Sequence, residues 1–182
     1  MLEPIAFAAG TLVLAYASRA SLRVPGSHGF HRFIAWELML VLVVYNLEGW
    51  YSAPVTWDQI VCGLLMGISL LLAILGYLAL RQFGQPDGSR DDETLLEFER
   101  TTQLVTQGIF GHVRHPMYSS LILLDWGLFF KKMSLFSGSI ALLACLFLII
   151  ATLVEERENL RYFGEQYRAY MRRSKRYFPF LT

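Results

Sequence analysis

The sequence predicts an all-α integral membrane protein with about five transmembrane helices, a C-terminal helical hairpin and a cytoplasmic amphipathic helix. Three observations carry that prediction. Hydrophobic residues make up 54% of the 182 and charged residues only 17%, with a mean hydropathy of +0.40, whereas a soluble domain usually carries about 25% charged residues. The apolar residues gather into five runs, near 3–18, 33–50, 60–80, 117–131 and 134–154, against the roughly 20 residues needed to cross a ~30 Å hydrocarbon core. Fourteen of the sixteen Lys and Arg residues fall in stretches that such alternating crossings bring to one membrane face.

In the first run Glu3 precedes the apolar residues and Arg19 follows them. A secretory signal has the opposite charge order, so the run reads as a retained span. His28 and His31 read as loop residues before the second run. That run carries Glu37 and Glu48 near its ends, where snorkelling to water is expected. Cys62 in the third run and Cys145 in the fifth sit among apolar neighbours and read as packing thiols, not as a disulfide or metal ligands. The fourth run is short and closes on Lys131, Lys132 and Ser134, so it should form a tight hairpin with the fifth. Asp125 lies deep in it beside Trp126, and a buried intramembrane acid is a candidate for lining a substrate path.

Arg19, Arg23 and Arg32 follow the first run, and Arg81, Arg90, Arg100 and Arg114 follow the third. Arg157, Arg161, Arg168, Arg172, Arg173, Lys175 and Arg176 follow the fifth; only Lys131 and Lys132 fall on the other side. The positive-inside rule then puts the N-terminus outside and the tail in the cytoplasm of a multi-pass protein, in a prokaryotic plasma membrane or the endoplasmic reticulum. The chain divides into three N-terminal spans, 1–80, and a region that carries the chemistry, 81–182. A formal net charge of +1 gives no reason to expect a nucleic-acid partner; the expected partners are membrane lipids and a lipophilic substrate.

Two cytoplasmic stretches are long enough to carry function. The first, 81–115, opens on the turn residues Gly84, Pro86 and Gly88. Leu95, Leu96 and Phe98 then interrupt the acids of 91–100, which predicts a short surface helix. In 155–173, Leu160, Phe163, Tyr167 and Tyr170 recur at helical spacing with Arg157, Arg161, Arg168 and Arg172 off the stripe. That pattern predicts an amphipathic helix at the lipid headgroups or across the protein's own mouth, kinked at Gly164.

The chemistry-bearing residues cluster in 104–118 and 155–170, and a tight hairpin between them returns both clusters to one membrane face. Pro116 suits the first turn of a helix, Gly108 permits close backbone approach, His115 and Tyr118 add polar tips, and Phe110 offers a ring to stack on. Glu155 and Glu156 stand side by side at an apolar boundary, which is costly without a compensating cation. Arg114 would serve, and so would a ligand bearing a sulfonium and an amine. Plainer readings exist for each: Arg114, His115 and Tyr118 as interfacial anchors, and the acid pair as a solvated helix end. His112 and His115 lack further ligands for a metal, and none is expected.

The ordered set Leu104-Val105-Thr106-x-Gly108-x-Phe110, Arg114-His115-Pro116-x-Tyr118, a hairpin, Glu155-Glu156, Phe163-Gly164-x-x-Tyr167-x-x-Tyr170 and Pro179 resembles the isoprenylcysteine carboxyl methyltransferase family, with phospholipid methyltransferases as more distant relatives. The resemblance covers about residues 101–180. It implies an S-adenosylmethionine pocket contacted by Gln103, Leu104, Val105, Phe110, His115, Met117, Tyr118 and Glu155, with Arg114, His115 and Glu156 as positioning residues and S-adenosylhomocysteine as product. Phe110 stands where that family often has tyrosine. Ala151 stands where some members that act on prenylated cysteine carry a substrate-recognising arginine.

Methyl transfer from a sulfonium is an in-line displacement in which the protein chiefly aligns the partners and excludes water. A carboxylate acceptor, such as that of a prenylated cysteine, is ionised at neutral pH and needs no base. A phospholipid amine or a thiol would have to lose a proton, with His112 and His115 as the candidate bases. The competing enzyme reading is an NADPH-dependent membrane reductase of the sterol-reductase type; a non-catalytic membrane scaffold is a third.

Overall fold

The computed structural model describes residues 2–52, 55–85, 92 and 94–179, residues 2, 51 and 52 by backbone alone. Each of the five apolar runs folds as a helix. In chain order the helices are α1 (Leu2–Ala17), α2 (Arg19–Leu22), α3 (His28–Tyr45), α4 (Gly49–Ser52), α5 (Trp57–Phe83), α6 (Pro116–Lys131), α7 (Leu135–Phe163) and α8 (Glu165–Arg173). Single 3-10 turns form at Glu97–Glu99 and Gly108–Gly111.

By length and composition, α5 with 27 residues and α7 with 29 are able to cross a bilayer. At ~1.5 Å per residue both exceed a ~30 Å core. The core helix of a soluble protein would hide its apolar surface, but only 17% of the most apolar window of α5 is buried, and 33% of that of α7. Leu64, Leu70 and Leu142 are exposed, apolar surface that suits lipid and not water. The other three are less extreme: α1 and α6 have 16 residues each, and α3 carries His28, Arg32 and Glu37.

Packing runs across the boundary near residue 80. Helix α6 lies mainly along α5, and α7 along α3. A side chain on Gly76 would come within 2.8 Å of the Met117 sulfur, and one on Gly127 within 2.9 Å of Met66, so both glycines set the α5–α6 separation. Between α3 and α7, Ala35 and Ala151 are fully buried in one cluster with Tyr118, Ile122 and Leu148. The expected hairpin turn forms at 132–134. Ser134 caps α7 by accepting from the Ser137 amide at 3.0 Å, and the Ser137 hydroxyl donates to the Lys132 carbonyl at 2.8 Å, which replaces partners the first turn lacks.

Three local expectations change. In the described part of 91–100 no surface helix forms: residues 94–100 hold the single 3-10 turn Glu97–Glu99. Tethering is the reason. Arg32 Nη1 donates to both Glu99 oxygens, at 2.7 and 2.9 Å, the Ser21 hydroxyl donates to the Thr94 carbonyl at 3.0 Å, and Leu95 is buried. Pro86, Gly88 and Arg90 lie outside the described residues. His28 sits in the first turn of α3, not in a loop, fully buried with Nδ1 against the Glu158 carboxylate of α7. Glu37 accepts a hydrogen bond at 2.9 Å from Thr11 of α1 instead of reaching for water.

The tether leaves no room at Gly29. A β-carbon there would stand 2.2 Å from the Ser21 hydroxyl oxygen and 2.9 Å from the Thr94 carbonyl oxygen. Gly29→Ala should therefore cost about 1–3 kcal/mol through overpacking, read as a lower Tm of the detergent-solubilised protein. Adding Ser21→Ala should restore part of the loss by removing the nearest atom; equal Tm for wild type and Gly29→Ala would refute the close approach.

Candidate functional site

A cleft opens where the end of α5, the 94–110 segment, the start of α6, the end of α7 and α8 converge. Local chemistry shapes each wall. Pro116 occupies the first turn of α6, and His115 is the preceding residue, with no side-chain capping bond to hold its ring back from the cleft. Gly108 has φ +59°, a left-handed conformation that favours glycine. It starts the 3-10 turn that buries Phe110. The Tyr170 hydroxyl of α8 donates to the Phe110 carbonyl at 2.6 Å, tying the far wall to that turn. Gly164, also at φ +59°, breaks the 155–173 stretch into the end of α7 and α8. Tyr167 and Tyr170 are thereby buried across the protein's own mouth. Burial, then the neighbouring Glu155 and Glu156 carboxylates, push the Tyr167 phenol above its usual range, so it stays protonated at neutral pH.

The apolar part of α7 ends at Val154, and the two acids stand beyond it. Glu156 is 4% exposed and carries two arginines. Arg114 donates to its Oε1 from Nε at 3.1 Å and Nη2 at 3.0 Å; Arg176 donates from Nε to Oε1 at 3.1 Å and from Nη2 to Oε2 at 2.8 Å. Arg114 Nη1 also donates to the carbonyls of Met171 and Ser174. Burial alone would raise the Glu156 carboxyl, but His115, Arg176 and Arg114 outweigh it and hold the group down at about 2. The tail delivers Arg176 by pairing with the strand-like entry to α6. The amides of Arg114 and His115 donate to the carbonyls of Lys175 and Arg176 at 2.7 and 3.1 Å, and the Lys175 amide donates to His112 at 3.2 Å.

His115 stands between the acids. Its Nδ1 is 3.7 Å from Glu155 Oε1 and its Nε2 is 3.4 Å from Glu156 Oε1, the latter too poorly aligned for a hydrogen bond. Its ring meets Tyr118 edge-on with centroids 5.8 Å apart. The Tyr118 hydroxyl is buried and faces Glu155 without closing a hydrogen bond onto it. A buried polar atom without a partner costs about 1–3 kcal/mol, so two such atoms on one cleft wall point to a ligand.

Of the residues singled out in the sequence, Leu104, Val105, Phe110, Arg114, His115, Met117, Tyr118 and Glu155 line this cleft. Glu156 lies behind the wall in its arginine clamp. Gln103 is not in the cleft: it is exposed, with its amide donating to the Gln85 side chain at 3.0 Å. Asp125 is fully buried away from the cleft, with neither carboxyl oxygen hydrogen-bonded. Sequence reasoning missed Glu99, Thr101 and Asn159 as lining residues and Arg176 as half of the clamp. No local pattern marks Arg176, whose role appears only when the tail is folded back.

Residues 57–166, from the start of α5 to the start of α8, match the family model described as phospholipid methyltransferase. No curated protein and no solved structure matches the chain. The match favours the phospholipid side of the resemblance drawn from the motifs, and it sets a methyltransferase against the reductase and scaffold readings. Covering more than half of the 182 residues, and containing both the entry to α6 and the acid pair of α7, it makes the chain a member of the phospholipid methyltransferase family.

Proposed function

We propose that the cleft is the S-adenosylmethionine site of a membrane methyltransferase whose acceptor is lipophilic. The observation that carries the reading is the buried Tyr118 Oη, without a hydrogen bond on the cleft wall, together with the Glu155 carboxylate that lines the same cleft 3.7 Å from His115 Nδ1. Glu155 would face the cationic groups of the donor, Tyr118 and His115 its polar edges, and Leu104, Val105, Phe110 and Met117 its flat base. Bound there, the donor supplies a methyl carbon activated by its sulfonium. The protein's part is alignment and water exclusion: Tyr167 and Tyr170 close the mouth, and the Glu156 clamp fixes the His115 wall. Gln103, outside the cleft, is left out of the contact set.

For the acceptor we infer a carboxylate of the prenylated-cysteine type, which needs no base. Two of the nearby carboxylates are already engaged, Glu156 with two arginines and Glu99 with Arg32. A specific observation favours a second reading: the matched family model is that of phospholipid methyltransferases, and His115, which lines the cleft, is the candidate base for a phospholipid headgroup amine. The five helical runs then cross the membrane with the tail and cleft in the cytoplasm, as the arginine distribution supports, and the acceptor enters laterally.

Glu155→Ala should weaken S-adenosylhomocysteine binding by tenfold to a hundredfold, about the worth of one charged hydrogen bond, with Tm unchanged. Unaltered affinity by calorimetry would sink the site. Incubation with labelled donor and a farnesylcysteine analogue, phosphatidylethanolamine or a small thiol identifies the acceptor by which product carries label.

A further inference from the structure

Arg32 stands beside the cleft and is not used by the proposed donor site. It lies in the second turn of α3, 4% exposed, just before the apolar part of that helix begins. Its guanidinium lies over the Trp36 ring at 5.0 Å. A single nitrogen, Nη1, holds both oxygens of Glu99, whose carboxylate also accepts from the Leu96 amide at 3.0 Å. The Nε is buried with no partner at all. Tyr118 and Glu155 are near enough to act on its charge, and both line the cleft, as does Glu99.

Arg114 and Arg176, the two arginines of the Glu156 clamp, have no donors to spare in this way. Arg114 spends Nε and Nη2 on Glu156 and Nη1 on two carbonyls, and Arg176 spends Nε and Nη2 on Glu156. An ion pair buried only to brace a loop would be expected to use the fork of the guanidinium, two nitrogens against two oxygens. This pair instead leaves a donor edge idle in a place where an unsatisfied polar group is costly. Beyond it begins the buried apolar cluster of Ala35, Tyr118, Ile122, Leu148 and Ala151, in which Tyr118 also lines the cleft.

We propose that Arg32 is the anchor for the anionic group of the acceptor, a carboxylate or a phosphodiester, held at the membrane end of the cleft. The inference rests on reading the cleft as the donor site. Arg32 keeps Glu99 through Nη1 and presents its Nε edge to the incoming anion, so no existing bond has to break. The positive charge offsets the repulsion that Glu99 and Glu155 would exert on an anion in a region of low dielectric. The lipid tail then lies toward α3 and α7, and the reacting atom reaches toward Glu155 and Tyr118. Arg32 is thus a positioning and specificity residue of the acceptor, with no part in holding the donor.

The test measures two bindings on one purified protein: S-adenosylhomocysteine alone, then farnesylcysteine or phosphatidylethanolamine in mixed micelles on the S-adenosylhomocysteine-loaded protein. Arg32→Lys keeps the charge but loses the fork, and Arg32→Gln removes the charge while leaving Glu99 a hydrogen-bond donor. Either change should weaken acceptor binding at least tenfold, and raise its KM likewise, with S-adenosylhomocysteine affinity held within twofold. The amide of farnesylcysteine should bind equally weakly to wild type and variants if the anion is a carboxylate; retained sensitivity with the phospholipid instead assigns the phosphate. Equal acceptor affinity in wild type and both variants, no binding of either acceptor to wild type, or a parallel loss of S-adenosylhomocysteine overturns the anchor. Failure of wild type to bind S-adenosylhomocysteine at all overturns the donor site beneath it.

Discussion

Glu156→Ala is expected to abolish methyl transfer and to cost about 3–5 kcal/mol of stability, the range seen when one partner of a buried ion pair is removed. The single carboxylate receives four donations from Arg114 and Arg176. Without it, two guanidiniums face each other across an empty position, with Arg114 almost wholly buried. Arg114 also ties Met171 and Ser174 at the end of α8, so the mouth of the cleft should loosen with the clamp. A change in Tm should accompany the loss of activity, which separates this position from Glu155, where binding should fail without a stability loss. Glu156→Gln keeps the shape and one acceptor oxygen and should be intermediate.

The same carboxylate makes stability depend on pH in a defined window. Its folded value of about 2 lies below the ordinary 4.5. A group depressed on folding stabilises above its unfolded value, and the contribution is lost as pH falls through the folded one. The clamp should therefore contribute fully above pH 4.5 and vanish toward pH 2. Comparing the acid limb of Tm for wild type and Glu156→Gln isolates it: the wild-type curve should fall more steeply between those limits, and parallel curves would exclude Glu156 as the source.

What the sequence disclosed depended on how local the cause was. Apolar runs became helices, and Ser134, Pro116 and Gly164 acted where a cap, a first turn and a break were expected, because each effect spans a few residues. The approach of His115 to Glu155, forty residues apart, was also readable, since one tight turn fixes where two helices return. Contacts that depend on several helices packing at once were not. His28 gave no sign of Glu158, nor Arg32 of Glu99, because those pairs exist only once α3 lies along α7 and the 94–101 segment folds over both. The surface helix expected over 91–100 yielded to the same tethers: a weak local propensity lost to two ion-pair and hydrogen-bond anchors and a buried leucine. The hairpin itself was correctly drawn but overvalued, for α6 leans on α5 more than on its partner.

Ending the chain after Ser174 is expected to be at least as damaging as losing Glu156, although none of the described residues removed lines the cleft. The backbone bonds to the Arg114, His115 and Lys175 amides would go, as would Arg176's half of the clamp and the 2.7 Å bond from the Ser119 hydroxyl to the Tyr177 carbonyl. At about 1 kcal/mol for each of the four neutral bonds, and about 1.5–3 for the charged one, the loss is about 5–7 kcal/mol. The consequence for function follows from where those bonds sit. They fix the backbone at Arg114 and His115, immediately before Pro116, so without them the His115 ring and the start of α6 lose their register against Glu155. Arg176→Met separates the two contributions: strand pairing survives, the clamp is halved, and S-adenosylhomocysteine affinity should fall only a fewfold. If the truncated protein instead keeps wild-type affinity and Tm, the tail is an appendage and the wall of the cleft stands on α6 and α7 alone.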